Sequence, residues 1–195
     1  MGIDATTSPR SSGFGPSALA TPANAVTAGR LLAVAPMVVL IAWLGASWVA
    51  FVAWLLVASS DSLDGWVARR QGATRSGAFL DPLADKVAVV GALAALAARG
   101  DIWWLPVVLI AARELIQSAY RSVAGRRGVS VPASRAAKVK TWAQMVAVGL
   151  LLVPLVAHHA PGVAVGVLWF AVALTLLTGA QYLWRGLAST RGGTV

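Results

Sequence analysis

Residues 61–86 read DSLDGWVARRQGATRSGAFLDPLADK, and four of the chain's seven acidic residues fall among them: Asp61, Asp64, Asp81 and Asp85. Asp61 and Asp64 are three apart and Asp81 and Asp85 four apart, so on helices each pair shares a face. Gly65 and Ala68 continue the first face with almost no side chain. The first pair ends one apolar stretch (47–69) and the second opens the next (81–98). Two antiparallel helices joined by a short loop therefore converge four carboxylates at one edge of an apolar layer. Such groups repel one another and resist desolvation, so cations or protons must compensate. Oxygen donors without His or Cys favour Mg²⁺ or Mn²⁺ over Zn²⁺. Two ions bridged by shared carboxylates make a clamp for phosphoryl chemistry. The plainer alternative pairs these acids with Arg69, Arg70, Arg75 and Lys86 in a solvated loop. Their spacing on two helix ends, flanked by Gly and Ala, favours the clamp.

The surroundings define the solvent. Of 195 residues, 58% are hydrophobic and 12% charged, and the mean hydropathy is +0.74. That much apolar surface points to a bilayer. Six apolar stretches (26–45, 47–69, 81–98, 102–123, 137–157 and 163–184) are each long enough, at about 1.5 Å per residue, to cross it. The expected fold is an all-α integral membrane protein with six transmembrane helices, a flexible tail over 1–21, a membrane domain over 22–187 and a short tail over 188–195. Pro36, Pro106 and Pro154 are expected to kink their spans.

Charge sets the orientation. The net charge is +9, with Arg30, Arg69, Arg70, Arg75, Lys86, Arg121, Arg126, Arg127, Arg135, Lys138, Lys140, Arg185 and Arg191 all on one side and Arg99 near the other. The bias places both termini, the long loops and the acidic cluster on the cytoplasmic side of the cell membrane. Trp43, Trp48, Trp103 and Trp104 then form an outer aromatic belt. Nucleic acid is not an expected partner, since no basic face with interleaved aromatics is visible. The absence of cysteine excludes disulfides, thiolate metal sites and cysteine nucleophiles. His158 and His159 lie in a short outer loop and receive no role.

Asp61-x-x-Asp64-Gly65-x-x-Ala68-Arg69 followed by Gly77-x-x-x-Asp81-x-x-x-Asp85 resembles the defining motif of the CDP-alcohol phosphotransferases. The loop between Arg69 and Gly77 has seven residues, where the family usually has eight or nine. The resemblance implies that Asp61, Asp64, Asp81 and Asp85 hold two Mg²⁺ or Mn²⁺ ions and that Asp85 is also the general base. It implies that Asp61, Asp64, Gly65, Ala68, Arg69 and Gly77 form the CDP-lipid site, with Arg69 on the diphosphate. It also implies a homodimer.

The downstream half resembles the phosphatidylglycerophosphate synthase branch of that family. The matching residues are Ala112-Arg113-Glu114-Leu115, Arg121, and Lys138-Val139-Lys140-Thr141-x-x-Gln144; Arg126-Arg127-Gly128-Val129 and Pro132-Ala133-Ser134 resemble actinobacterial members. The branch implies transfer of a phosphatidyl group from CDP-diacylglycerol to sn-glycerol 3-phosphate. An anionic acceptor needs cations, and Arg113, Arg121, Arg135, Lys138 and Lys140 are the candidates for its phosphate. For each, the alternative is a positive-inside flank. Arg113 can also pair with Glu114 or an active-site Asp and hold the bundle together. Lys138 and Lys140, two apart, cannot share a helical face, whereas Arg135 and Lys138 can. Cardiolipin synthase and phosphatidylinositol-phosphate synthase are the neighbouring alternatives. Outside the class stands a small ion or proton transporter, which would favour carboxylates near the midplane rather than at one edge.

Overall fold

The computed structural model describes the backbone of residues 22–71, 77–126 and 135–191, and side chains within these except 22–28, 30, 61–85, 121–138 and 182–191. Among the described residues all regular structure is helical: α1 (Pro22–Leu44), α2 (Trp48–Gln71), α3 (Gly77–Ala98), α4 (Trp104–Arg126), α5 (Arg135–Leu152), α6 (Pro154–His159) and α7 (Pro161–Arg191). The tail expected over 1–21, the last four residues (192–195) of the tail expected over 188–195, and the loops 72–76 and 127–134 lie outside the described residues, while 188–191 continue α7.

One expected span is divided. The run 137–157 was expected as one span, yet α5 stops at Leu152 and α6 starts at Pro154. Proline has no N–H to donate and pushes the preceding residue out of the helical region. Val153 accordingly is extended, at φ −69° and ψ 115°. Pro36, by contrast, lies within a continuous α1, and Pro106 falls in the first turn of α4, where its missing donor costs little.

Two tight turns close the C-terminal ends of α1 and α3. Gly45 N donates to Ile41 O at 2.9 Å with φ +61°, a left-handed cap that suits glycine. Gly100, at φ +85°, donates to Ala97 O at 3.0 Å while Asp101 N reaches Leu96 O at 3.0 Å, which is a Schellman cap. Ser47 Oγ then accepts from Ala50 N at 3.2 Å and caps α2. Arg99 joins the two turns: its Nη1 donates to Ala42 O and Trp43 O at 2.9 and 3.1 Å, and its Nε to Asp101 at 2.9 Å. The guanidinium thus satisfies carbonyls that the end of α1 leaves open.

α3 is the central helix and packs against α1, α2, α4 and α5, while α7 covers α4 and α5. The core contains Met37, Ile41, Trp54, Leu93, Leu96, Ile110, Val148, Leu152, Leu168 and Val172. The outer surface is equally apolar: Leu32, Leu56, Leu115, Phe170 and Leu177 are exposed, as are Trp43, Trp48, Trp103 and Trp104 at the two turns. Apolar residues on both faces of a helix suit a bundle with lipid around it. Among the described residues, Pro161–Gln181 is long and apolar enough to cross a bilayer, with a mean hydropathy of 2.2. Leu31–Leu44, Trp48–Ser60, Lys86–Ala98 and Val139–Leu152 are shorter apolar stretches.

Candidate active site

The two carboxylate pairs lie on unbroken helices, which preserves the shared face of each. Asp61 and Asp64 belong to the C-terminal half of α2, and Asp81 and Asp85 to the N-terminal half of α3. Gly65, Ala68 and Arg69 follow on α2, and Gly77 is the first residue of α3. The side chains of these residues lie outside the described residues, as do those of Arg121 on α4 and of Arg135 and Lys138 on α5. The donor set is nonetheless defined chemically: carboxylates on two helices that pack together, a set that fits a hard divalent ion.

One residue beyond Asp85 an ionic knot begins, and its side chains are described. Glu114 on α4 is its hub and is only 7% exposed. Its Oε1 accepts from Arg113 Nη1 at 3.0 Å and from Lys140 Nζ on α5, and its Oε2 lies 3.7 Å from Lys86 Nζ on α3. Lys86 also donates to Ser118 Oγ, and Ser118 donates to the Glu114 carbonyl at 2.7 Å. Arg113 Nη2 donates to Thr178 Oγ1 on α7 at 3.2 Å. One turn away, Gln144 Nε2 donates to Thr175 Oγ1 at 2.9 Å, and Thr175 donates to Ala171 O at 2.6 Å. Polar contacts thus join α3, α4, α5 and α7 inside an apolar bundle.

A lone carboxylate at this depth would be strongly disfavoured, and paired cations make it tolerable. Three cations around one anion leave the knot with a net charge of +2 before any other group is counted. Arg113 and Lys140 are themselves 8% and 4% exposed. The Arg113 side chain fits because Gly179 has none: a Cβ there would sit 3.3 Å from Arg113 Cγ. Arg113 Nε is buried without a hydrogen-bond partner.

Of the five cations expected at the acceptor phosphate, Arg113 and Lys140 are therefore engaged with Glu114. Arg113 takes one of the two partners the sequence leaves open. The sequence reading did not find Glu114 as the hub, nor Lys86, Ser118 and the threonines of α7 as its surroundings. A signal was present. Glu114 and Ser118, and Lys140 and Gln144, are each four apart in apolar helices, and Thr175 and Thr178 are three apart. Polar residues at such spacing form polar stripes.

The CDP-alcohol phosphatidyltransferase family model matches residues 20–177. A "probable phosphatidylglycerophosphate synthase" of Mycobacterium tuberculosis is 44% identical over 147 residues, covering 72% of this chain and 68% of the relative. A "CDP-diacylglycerol–glycerol-3-phosphate 3-phosphatidyltransferase" of Escherichia coli is 42% identical over 158 residues, covering 76% and 85%. With the family's motif carried on α2 and α3, and the match spanning every helix from α1 well into α7, this chain belongs to the CDP-alcohol phosphatidyltransferases, enzymes of phospholipid biosynthesis.

Proposed function

We propose that this enzyme transfers the phosphatidyl group of CDP-diacylglycerol to sn-glycerol 3-phosphate, giving phosphatidylglycerophosphate and CMP. The likeness to two named synthases over more than two thirds of each chain carries this reading. A hydroxyl oxygen of the acceptor forms a bond to the phosphorus that bears diacylglycerol. The bond from that phosphorus to the bridging oxygen breaks, and CMP leaves with it. Asp85 accepts the hydroxyl proton. Arg69 binds the diphosphate, Gly65 and Ala68 leave room for the cytidine, and Gly77 keeps the connecting loop close. Asp61, Asp64, Asp81 and Asp85 would hold two Mg²⁺ or Mn²⁺ ions, which supply neutralisation of the diphosphate charge when bound.

Arg121, Arg135 and Lys138 hold the acceptor phosphate directly. Arg113 and Lys140, committed to Glu114, contribute through the positive charge of the knot. In this reading the chain has six membrane segments, with α5 and α6 together forming the fifth, and the excess of Lys and Arg on one side supports a cytoplasmic position for both termini and the site. The chain works as a homodimer.

The test is a split between substrates. Arg121→Ala and Lys138→Ala should each raise KM for glycerol phosphate by about tenfold, worth about 1.4 kcal/mol, and leave that for CDP-diacylglycerol within about threefold. Equal losses for both substrates would remove these residues from the acceptor site.

A further inference from the structure

Glu114 has more cations than its charge requires. Arg113 and Lys140 already overcompensate it, yet Lys86 is drawn to 3.7 Å from its second oxygen. Ser118, one turn on along α4, completes the seat. Its proton is spent on the Glu114 carbonyl, so its oxygen is free to accept from the Lys86 ammonium. The seat is specific to the one cation on α3 that adjoins the carboxylates: Lys86 follows Asp85 directly and lies one helical turn beyond Pro82. An ammonium on a flexible four-carbon stem beside clustered carboxylates is a natural counter-ion for them.

We propose that Glu114 is a positioning residue that, with Ser118, seats the Lys86 ammonium on α4 and so keeps it from competing with a divalent cation for the aspartates of α2 and α3. This rests on the metal-holding role proposed above for those aspartates. The seat has two consequences. It removes a rival charge from the metal ligands, and it fixes α3 against α4 next to the general base. Arg113 and Lys140 hold Glu114 itself in place, which explains why they are spent on a carboxylate in the interior.

The experiment is Mn²⁺ binding to the purified full chain in detergent, followed by the loss of the free-ion electron paramagnetic resonance signal. Glu114→Gln keeps the side-chain shape and removes the charge; it should weaken Mn²⁺ binding by about tenfold or more. Lys86→Met in the Glu114→Gln background should restore the affinity to within about threefold of wild type, and Lys86→Met alone should not weaken it. A Glu114→Gln protein that binds Mn²⁺ as wild type does overturns the proposal. So does a double variant as weak as the single one, because Glu114 would then act through the bundle and not through Lys86. If Glu114→Gln does not fold, Ser118→Ala decides: it should weaken binding by about threefold, and unchanged affinity overturns the seat. Wild-type protein that binds no Mn²⁺ fails at the metal-holding role and takes the proposal with it, an outcome distinct from equal binding by wild type and variant.

Discussion

Gly45 and Gly100 both have positive φ, 61° and 85°, but their replacement is expected to cost different amounts. A Cβ on Gly45 would lie 2.6–2.8 Å from the Arg99 guanidinium, whereas one on Gly100 would meet nothing within 4 Å. Gly100→Ala should therefore cost only backbone strain, about 1 kcal/mol. Gly45→Ala should add the loss of Arg99's bonds to α1, for about 2–3 kcal/mol in all. Thermal unfolding in detergent measures both, and equal losses would show that Arg99 relaxes without cost. Within the site, Asp85→Asn should lower kcat below a tenth of wild type, a loss above about 1.4 kcal/mol, while CDP-diacylglycerol still binds. Stopped-flow binding and turnover on one preparation separate the two effects. The aspartate pairs were visible as a pattern in the sequence because their members are three or four residues apart. Glu114 was not, because two of its three cations arrive from other helices, and a sequence shows only Arg113 beside it.

At the scale of elements, most boundaries followed from composition, with two exceptions: α7 runs on to Arg191, past the span expected to end at 184, and the fifth span is divided at Val153. Gly45 and Arg99-Gly100 mark the turns after α1 and α3 plainly, since short polar or glycine-containing breaks separate long apolar runs. The division at Val153 was read only as a kink, because hydropathy does not register a missing N–H. Pairing between elements is harder still to read. The Gln144–Thr175 bond joins α5 to α7, and the polar stripe on each helix does not by itself name its partner on the other. Gln144→Leu or Thr175→Val should each destabilise the bundle by about 0.6–2 kcal/mol, the range for hydrogen bonds between membrane helices. The double variant should lose less than the sum of the two. A strictly additive result, read from unfolding in mixed micelles, would show that the pair is not coupled.

For the whole molecule, the family match carries the reaction class, and the proposed orientation rests on the distribution of charge. The proposed cytoplasmic placement of the C-terminus is tested cleanly because the sequence contains no cysteine. A cysteine replacing His159, the last residue of α6, should react with a membrane-impermeant maleimide in intact cells. One replacing Ser189, near the end of α7, should react only after the membrane is opened. The reverse pattern would invert the molecule and put the carboxylate cluster outside. The overall class was legible because a bilayer imposes a strong compositional signature on the sequence. The acceptor is proposed through resemblance alone, since pockets that differ by a phosphate or a few hydroxyls leave little trace in composition.

The central claim is the identity of that acceptor, and CMP release is the most direct test. Purified enzyme would be given CDP-diacylglycerol and Mg²⁺ with, separately, sn-glycerol 3-phosphate, inositol phosphate, phosphatidylglycerol and glycerol. A site built around fixed cations should release CMP at least about tenfold faster with glycerol 3-phosphate than with any other acceptor. Phosphatidylglycerophosphate should form in equal amount. Faster release with inositol phosphate or phosphatidylglycerol would contradict the account.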